Sequence, residues 1–288
     1  MSPRVALVSS ERGLRLDPDL PIAAPALRQA GLAVDVVRWD DAAVDWADHD
    51  LAVVRSCWDY SWRLPEFLGW AASVPRLRNA VELLRWNTDK THLRDLARAG
   101  LPVVPTVWDP TEAGQLPDAP EWVVKPSVSA GSRDTARWDD PAAALAHVAE
   151  LTAAGRTAML QPYLAGVDTA GETAMLFLGG RFSHAVRKGP LLRRGEGVRQ
   201  DRNSRGDLRA VEPTAAQREL AEAALDAVPA LVPGAAPPLY ARIDLVPGPA
   251  GRPVLLELEL AEPSLFLPQA PAGAVARLVR SVEDAIAA

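Results

Sequence analysis

The chain carries one cysteine, Cys57, in 288 residues, so no internal disulfide can form. That suits a reducing cytoplasm, which is the expected location. No run of 18 apolar residues occurs, which argues against a transmembrane helix. The first apolar stretch, residues 4–9, is too brief for a secretory signal and reads as a buried strand. Positive charge is scarce: 31 Lys and Arg stand against 37 Asp and Glu, a net charge of −6. That balance argues against nucleic acid or an anionic membrane as the main partner. There is no internal repeat, no long low-complexity tract and no Walker A motif. Histidines 92, 147 and 184 are scattered, and neither a Cys–His nor a Ser–His–Asp arrangement stands out. Cys57 reads as a buried residue rather than a nucleophile.

What is present is ordinary globular composition, 48% hydrophobic and 24% charged, long enough for two or three layered subdomains. Short apolar strands at 4–9, 32–38 and 51–55, with a helix at 20–30 ended by Gly31, imply a parallel α/β sheet. The segment Arg55-Ser56-Cys57-Trp58-Asp59-Tyr60-Ser61-Trp62-Arg63 follows the third strand. Ligands bind outside the carboxyl ends of such strands, so it is either a substrate wall or an aromatic cover for the sheet edge. Helices are expected at 65–74 and at 88–99, the latter with Thr88 as N-cap and Gly100 as C-cap. Residues 101–120 read as a strand plus linker. From Glu121 the pattern turns to strands with few long helices: 121–125, 157–161, 173–178 and 181–187. Helices at 213–228 and 271–286 flank strands at 239–246 and 253–260.

Chemistry gathers in five places. On strand 239–246, Arg242 and Asp244 are two apart and share a face. On strand 253–260, Glu257 and Glu259 do the same, and the short Gly248 to Gly251 connection makes the two strands a hairpin. Three carboxylates on one face repel unless a cation joins them, and Mg²⁺ takes such hard oxygen ligands. A half-buried strand with a solvated polar face fits the same alternation. Substituting Asp244 is expected to leave the fold intact, on the view that it faces the surface.

The second place is Lys125-Pro126-Ser127-Val128-Ser129-Ala130-Gly131-Ser132, a strand that delivers a lysine to a loop of small residues. Such a loop lets backbone N–H groups approach phosphate, though a Lys-Pro-Ser turn is also simply a turn. The third is Lys90, after Trp86-Asn87-Thr88-Asp89; the fourth is Gln161-Pro162-Tyr163-Leu164, a strand ending in a Pro-directed turn. The last is a basic stretch with Arg187, Lys188, Arg193, Arg194, Arg199, Arg202, Arg205 and Arg209. It reads either as a solvated loop or as one that closes on phosphates and a substrate carboxylate.

In this chain order the five features resemble the ATP-grasp superfamily from about residue 90 to 268. More narrowly, Trp86-Asn87-Thr88-Asp89-Lys90, the segments at 55–63 and 124–132, and Glu257-Leu258-Glu259-Leu260-Ala261-Glu262-Pro263-Ser264 resemble the cycloserine-biosynthesis branch. The resemblance implies an α/β protein, α+β toward the C-terminus. A substrate-side unit would span 1–85, a small nucleotide subdomain 86–160, and a C-terminal subdomain with the metal site 161–288. It implies ATP held by Lys90, Lys125, Ser127, Ser129, Gly131, Ser132, Gln161, Pro162, Tyr163, Leu164 and Glu172. It implies Mg²⁺, or Mn²⁺, on Asp244, Glu257 and Glu259, and catalytic roles for Arg242 and Lys188. Glu259 departs from the family, where Asn is usual. The implied activity is an ADP-forming ligase that activates a carboxylate for attack by nitrogen, acting on a small amino-acid-like substrate such as O-ureido-serine. An intermolecular carboxylate–amine ligase and a non-catalytic nucleotide-binding module are the rivals, and a homo-oligomer is left open.

Overall fold

A computed structural model describes residues 2–199 and 207–288. Arg202 and Arg205 of the basic stretch lie outside the described residues. Among the described residues no helix is long and apolar enough to cross a membrane.

The chain opens with β1 (Arg4–Ser9), α1 (Glu11–Leu16), α2 (Leu20–Gln29), β2 (Ala33–Arg38), β3 (Leu51–Ser56), α3 (Leu64–Ser73) and β4 (Leu77–Arg78). These strands form a sheet in the order β2-β1-β3-β4, and every pairing is parallel. β1 and β3 are buried along nearly their whole length, as parallel strands covered on both faces must be.

Two short helices follow, α4 (Val81–Asn87) and α5 (His92–Arg98). Thr88 is therefore not the N-cap of a helix reaching to Ala99. It is the C-cap of α4, its hydroxyl donating to the Leu84 carbonyl at 2.8 Å. The turn before α5 is organised by Asp89, whose carboxylate accepts from the Thr91 N–H at 2.9 Å. A Thr followed by a helical pattern carries the same sequence signal at either end, and the apolar face of α4 was the missed cue.

A second sheet, ordered β5-β8-β6-β7, is antiparallel. It contains β5 (Val107–Trp108), β6 (Trp122–Pro126), β7 (Ala136–Trp138) and β8 (Ala158–Pro162), with α6 (Pro141–Ala153) packed on it. The sequence reading missed α6. Its start was nonetheless written in Asp140, which caps the Ala142 N–H at 3.0 Å, and in Pro141 at the first helical position.

After α7 (Gly166–Ala170) come β9 (Glu172–Leu178), β10 (Arg181–Lys188), β11 (Leu208–Val211), α8 (Ala215–Leu231), β12 (Tyr240–Pro247), β13 (Pro253–Glu259) and α9 (Ala274–Ala287). The third sheet runs β11-β10-β9-β12-β13, antiparallel throughout. The predicted β12–β13 hairpin is present. One apolar cluster joins Ala241, Ile243, Leu245, Leu255 and Leu258 to residues of α4, α5 and α8. On the other side, α2 and α9 share a cluster with β1, β3 and Tyr240. The basic stretch is anchored at both ends by strands, because Arg187 and Lys188 end β10 and Arg209 lies on β11, where it pairs with Arg187.

Candidate active site

β12 sits between β9 and β13, so each of its side chains meets two neighbours. Ala241, Ile243 and Leu245 enter the apolar cluster, which leaves Arg242 and Asp244 on the opposite face. Across the hairpin Arg242 pairs with Glu259 and Asp244 with Glu257. The register then slips, so that Leu245 pairs with Leu255. This bulge at Leu256 is what lets Leu255 and Leu258 both face the core while Glu257 and Glu259 stay together on the other side. Strict alternation would have set Leu255 beside the glutamates. Ligand atoms of Asp244, Glu257 and Glu259 all lie within 4.8 Å of one another, an oxygen-only set.

Protein cations offset part of the charge on these carboxylates. Lys125 Nζ lies 2.8 Å from Glu257 Oε1. Lys188 Nζ bridges Asp244 Oδ2 at 2.7 Å and Glu172 Oε2 at 2.6 Å. Arg242 forks onto both Asp244 oxygens at 2.9 and 3.0 Å and also reaches Glu259. Burial works to raise Asp244, but Arg242 and Lys188 hold it below the usual carboxylate value. Burial likewise opposes ionisation of Glu257, and Lys125 and Lys90 keep it strongly acidic. Glu259 goes the other way. Burial pushes it up to about 8, with Asp244 and Glu257 adding to the rise and Arg242 resisting it.

Above this floor the β6 strand delivers Lys125, and the small-residue loop turns through positive φ at Gly131 (66°) and Ser132 (60°). Lys90 is tied to that loop twice. Its backbone N–H donates to the Ser127 carbonyl at 2.9 Å, and its Nζ donates to the Ser129 carbonyl at 2.9 Å. Arg137, unremarked in the sequence, is a buried clamp. It donates to both oxygens of Glu121 and of Asp168, and its guanidinium lies 3.4 Å from the Tyr163 ring centroid. Tyr163 is fixed further by donating its hydroxyl to Asp168 at 2.6 Å.

Most of the candidate residues line one cavity of about 630 Å³, a size suited to a small ligand or two, and Arg137 braces Tyr163 in its wall from behind. Lys90, Lys125, Ser129, Gly131, Ser132, Gln161, Pro162, Tyr163, Leu164, Glu172, Lys188, Arg242, Glu257 and Glu259 all reach it. Two candidates do not. Ser127 is buried behind the loop, its N–H donating to the Thr157 carbonyl at 2.9 Å, so it pins the loop's root. Asp244, 1% exposed, lies beneath Arg242 and Lys188. The view that it faces the surface is therefore wrong.

The aromatic segment after β3 is a cavity wall, since Trp58 and Tyr60 line it together with Glu262 and Ser264. Cys57 is fully buried, and burial drives its thiol pKa well up. His92, His147 and His184 are buried too, and burial lowers all three, His92 to about 4. In the basic stretch, Arg187 donates to the Thr169 carbonyl at 2.7 Å and Arg194 pairs with Glu121 at 2.8 Å. Arg199 is buried, its guanidinium donating to the Leu191 carbonyl at 2.6 Å.

Two sheets facing each other across a lysine- and carboxylate-lined cleft, behind an N-terminal parallel sheet, define an ATP-grasp protein. The same fold is seen in D-alanine–D-alanine ligase from Bacillus anthracis complexed with ATP, at TM-score 0.66 and 13% identity, covering 99% of this chain and 98% of that one. It is seen again in the ATP-grasp ligase PsnB complexed with minimal precursor, Mg and ADP, at TM-score 0.64 and 17% identity over 99% and 98%. The chain belongs to the DcsG family of ATP-grasp ligases. It is 37% identical over 285 residues to cycloserine biosynthesis protein DcsG of Streptomyces lavendulae, covering 91% of this chain and 92% of the relative. The crystal structure of D-cycloserine synthetase DcsG superposes at TM-score 0.90 with 35% identity, covering 98% of this chain and 99% of that chain. Residues 5–84 match the model of the D-cycloserine synthetase DcsG N-terminal domain.

Proposed function

We propose that this enzyme is an ADP-forming ligase that closes O-ureido-serine to cycloserine, activating the substrate carboxylate for attack by a nitrogen of the same molecule. The observation that carries this reading is the cavity in which Lys90, Lys125, the small-residue loop, Glu257, Glu259 and the Trp58–Tyr60 wall meet, with Asp244 packed beneath it. Near full-length similarity to DcsG supports it.

The triphosphate would lie along Lys90, Lys125 and residues 129–132, with Tyr163 and Leu164 beside the base. Asp244, Glu257 and Glu259 would hold Mg²⁺, whose preference for oxygen ligands their spacing suits, and Mn²⁺ fits the same donors. Bound there, the ion would offset negative charge on the phosphates during transfer. A carboxylate oxygen of the substrate bonds to the γ-phosphorus and ADP leaves. The oxygen-bound ureido nitrogen then bonds to the acyl carbon, loses a proton, and phosphate leaves; water then cleaves the bond from that nitrogen to its carbamoyl group, which departs as carbon dioxide and ammonia and leaves cycloserine. Because nucleophile and electrophile share one molecule, holding it in a bent pose removes most of the entropic barrier to ring closure. Arg242, fixed by Asp244 and Glu259, contributes positive charge where the acyl phosphate forms, and Lys188 lies beside it.

The test is ADP release with Mg·ATP, comparing O-ureido-D-serine with amino acids given singly and in pairs. Stimulation by the ureido compound alone, with a cyclised product by mass spectrometry, is the expected result. Stimulation only by pairs would establish an intermolecular ligase instead. ATP binding without any turnover would favour a nucleotide-binding module.

A further inference from the structure

Phe266 combines a left-handed backbone, φ 52° and ψ 37°, with a large aromatic side chain. A bulky residue rarely takes that conformation, which persists only where the surroundings impose it. Here four side chains from distant parts of the chain hold segment 263–267 by its backbone. Asp19 accepts from the N–H groups on either side of Phe266, that of Leu265 at 2.6 Å and that of Leu267 at 2.8 Å. Arg55 donates to the Pro263 carbonyl at 3.0 Å, its Nη2 lying 3.6 Å from Asp19 Oδ2. His184 Nε2 donates to the Leu265 carbonyl at 2.8 Å, and Arg242 reaches the Ser264 carbonyl at 3.4 Å. Asp19 and Arg55 are both buried, so these bonds are shielded from water. The segment so held puts Phe266 in the cavity lining, with the Arg242 guanidinium 5.4 Å from its ring centroid. Leu208 also lines the cavity and packs in the same apolar cluster. Phe266 and Leu208 therefore make an apolar wall beside the arginine assigned to the acyl phosphate.

We propose that Phe266 is a specificity-determining residue that limits the length of the substrate's side chain, and that Asp19 is the positioning residue that holds its ring in place. The Asp19 carboxylate spans the two N–H groups where the chain turns through the left-handed region, so it fixes the ring from behind the wall. A fixed apolar wall discriminates by size, because an added methylene must displace the wall or push the substrate carboxylate out of line with the γ-phosphate. The proposal rests on the ligase reading above and adds to it what sets the length of the substrate.

The experiment measures kcat/KM from ADP release by the full chain with Mg·ATP, for O-ureido-D-serine and for O-ureido-D-homoserine, which is one methylene longer. The wild type should favour the shorter compound by about tenfold or more. Phe266→Ala should bring that ratio within about threefold of one and leave the KM for ATP within about twofold of wild type. A general loss of structure would instead move both compounds and ATP together. Asp19→Asn keeps one acceptor oxygen of two, so it should relax the ratio in the same direction. Added to Phe266→Ala it should change the ratio no further, because it acts through the ring. Should Asp19→Asn not fold, Phe266→Gly reads the hold on the backbone. It should melt no lower than Phe266→Ala, since glycine takes the left-handed conformation freely and alanine does not. An unchanged ratio in Phe266→Ala, a wild type indifferent to length, an additive double variant or a lower melt for Phe266→Gly would each overturn the proposal. Absence of ADP release with either compound would overturn the ligase reading and this proposal with it. Turnover with an unchanged ratio disposes of Phe266's role and spares the ligase reading.

Discussion

At the scale of single residues the site is a balance of buried charge, and that decides what substitutions do. Glu257 and Asp244 are both candidate metal ligands, yet they differ in what they leave behind. Asp244→Asn strands Arg242 and Lys188 at a position only 1% exposed, and should cost about 3 kcal/mol or more in a denaturant titration as well as turnover. Glu257→Gln faces the cavity and releases one lysine, so turnover should be lost with a much smaller stability change. Equal destabilisation of the two variants would contradict this arrangement. Lys125→Met should weaken Mg·ATP binding at least tenfold, read by calorimetry, because a phosphate-facing point charge is gone. Glu259 supplies the pH dependence. Between its ordinary value of 4.5 and about 8 the folded protein keeps a proton that the unfolded chain has released. Its contribution to stability therefore declines as pH rises through that window. Thermal melts of ligand-free wild type should show this decline, and Glu259→Gln should flatten it. Parallel pH profiles for the two would remove the raised carboxyl from the account.

At the scale of elements, two devices aim the site residues, a bulge and a glycine, while a cap secures a helix behind the sheet. The bulge at Leu256 separates core leucines from cavity glutamates on one strand, and no alternation rule predicts it. Gly171 joins α7 to β9 at φ +71°, and a Cβ there would lie 2.3 Å from the Lys188 carbonyl oxygen. Gly171→Ala should displace the end of β10 that carries Lys188. The expected outcome is a loss of more than about 1 kcal/mol in stability together with a fall in kcat, measured on the same preparation. The α8 helix begins with a capping box, Thr214 and Gln217 each bonding the other's backbone. Thr214→Ala should cost about 1 kcal/mol and leave kcat alone, since α8 touches the site only through the sheet it packs on. These elements were unequally legible. The hairpin was read from two apolar strands and a Gly-Pro connection, and a helix was expected at 271–286, where α9 stands. The α6 helix went unread because alanine dominates it and gives little periodic contrast, even though Asp140-Pro141 marks its start.

At the scale of the whole molecule, the parallel sheet is locked to the third sheet by a few buried polar side chains. The Asn79 amide donates to the Tyr240 and Leu260 carbonyls at 2.9 and 2.7 Å and accepts from the Leu239 N–H at 2.6 Å. Asn87 does the same for Leu258 and Leu260. Asp19 accepts from the Leu265 and Leu267 N–H groups, and the Tyr240 hydroxyl donates to the Val54 or Ala261 carbonyl, at 2.6 and 2.9 Å. Asn79→Ala should leave three backbone groups unpaired in the interior and lower stability by several kcal/mol, read as a shift of the unfolding midpoint. A shift within error would mean that the units hold together by apolar packing alone. The sequence by itself determined the chemistry of this protein: which residues are lysines and carboxylates, in what order, on strands whose period of two sets them on a common face. It determined the α/β opening and the antiparallel close as well, because local pattern and turn residues act over a few positions. Only the tertiary structure decided that Asp244 is buried, that Lys125, Lys188 and Arg242 offset part of the charge on the carboxylates, and that Arg137 and Tyr60 brace the cavity. Those facts depend on contacts between residues tens to hundreds of positions apart. Burial and charge pairing belong to the packed arrangement, and no stretch of chain carries them alone.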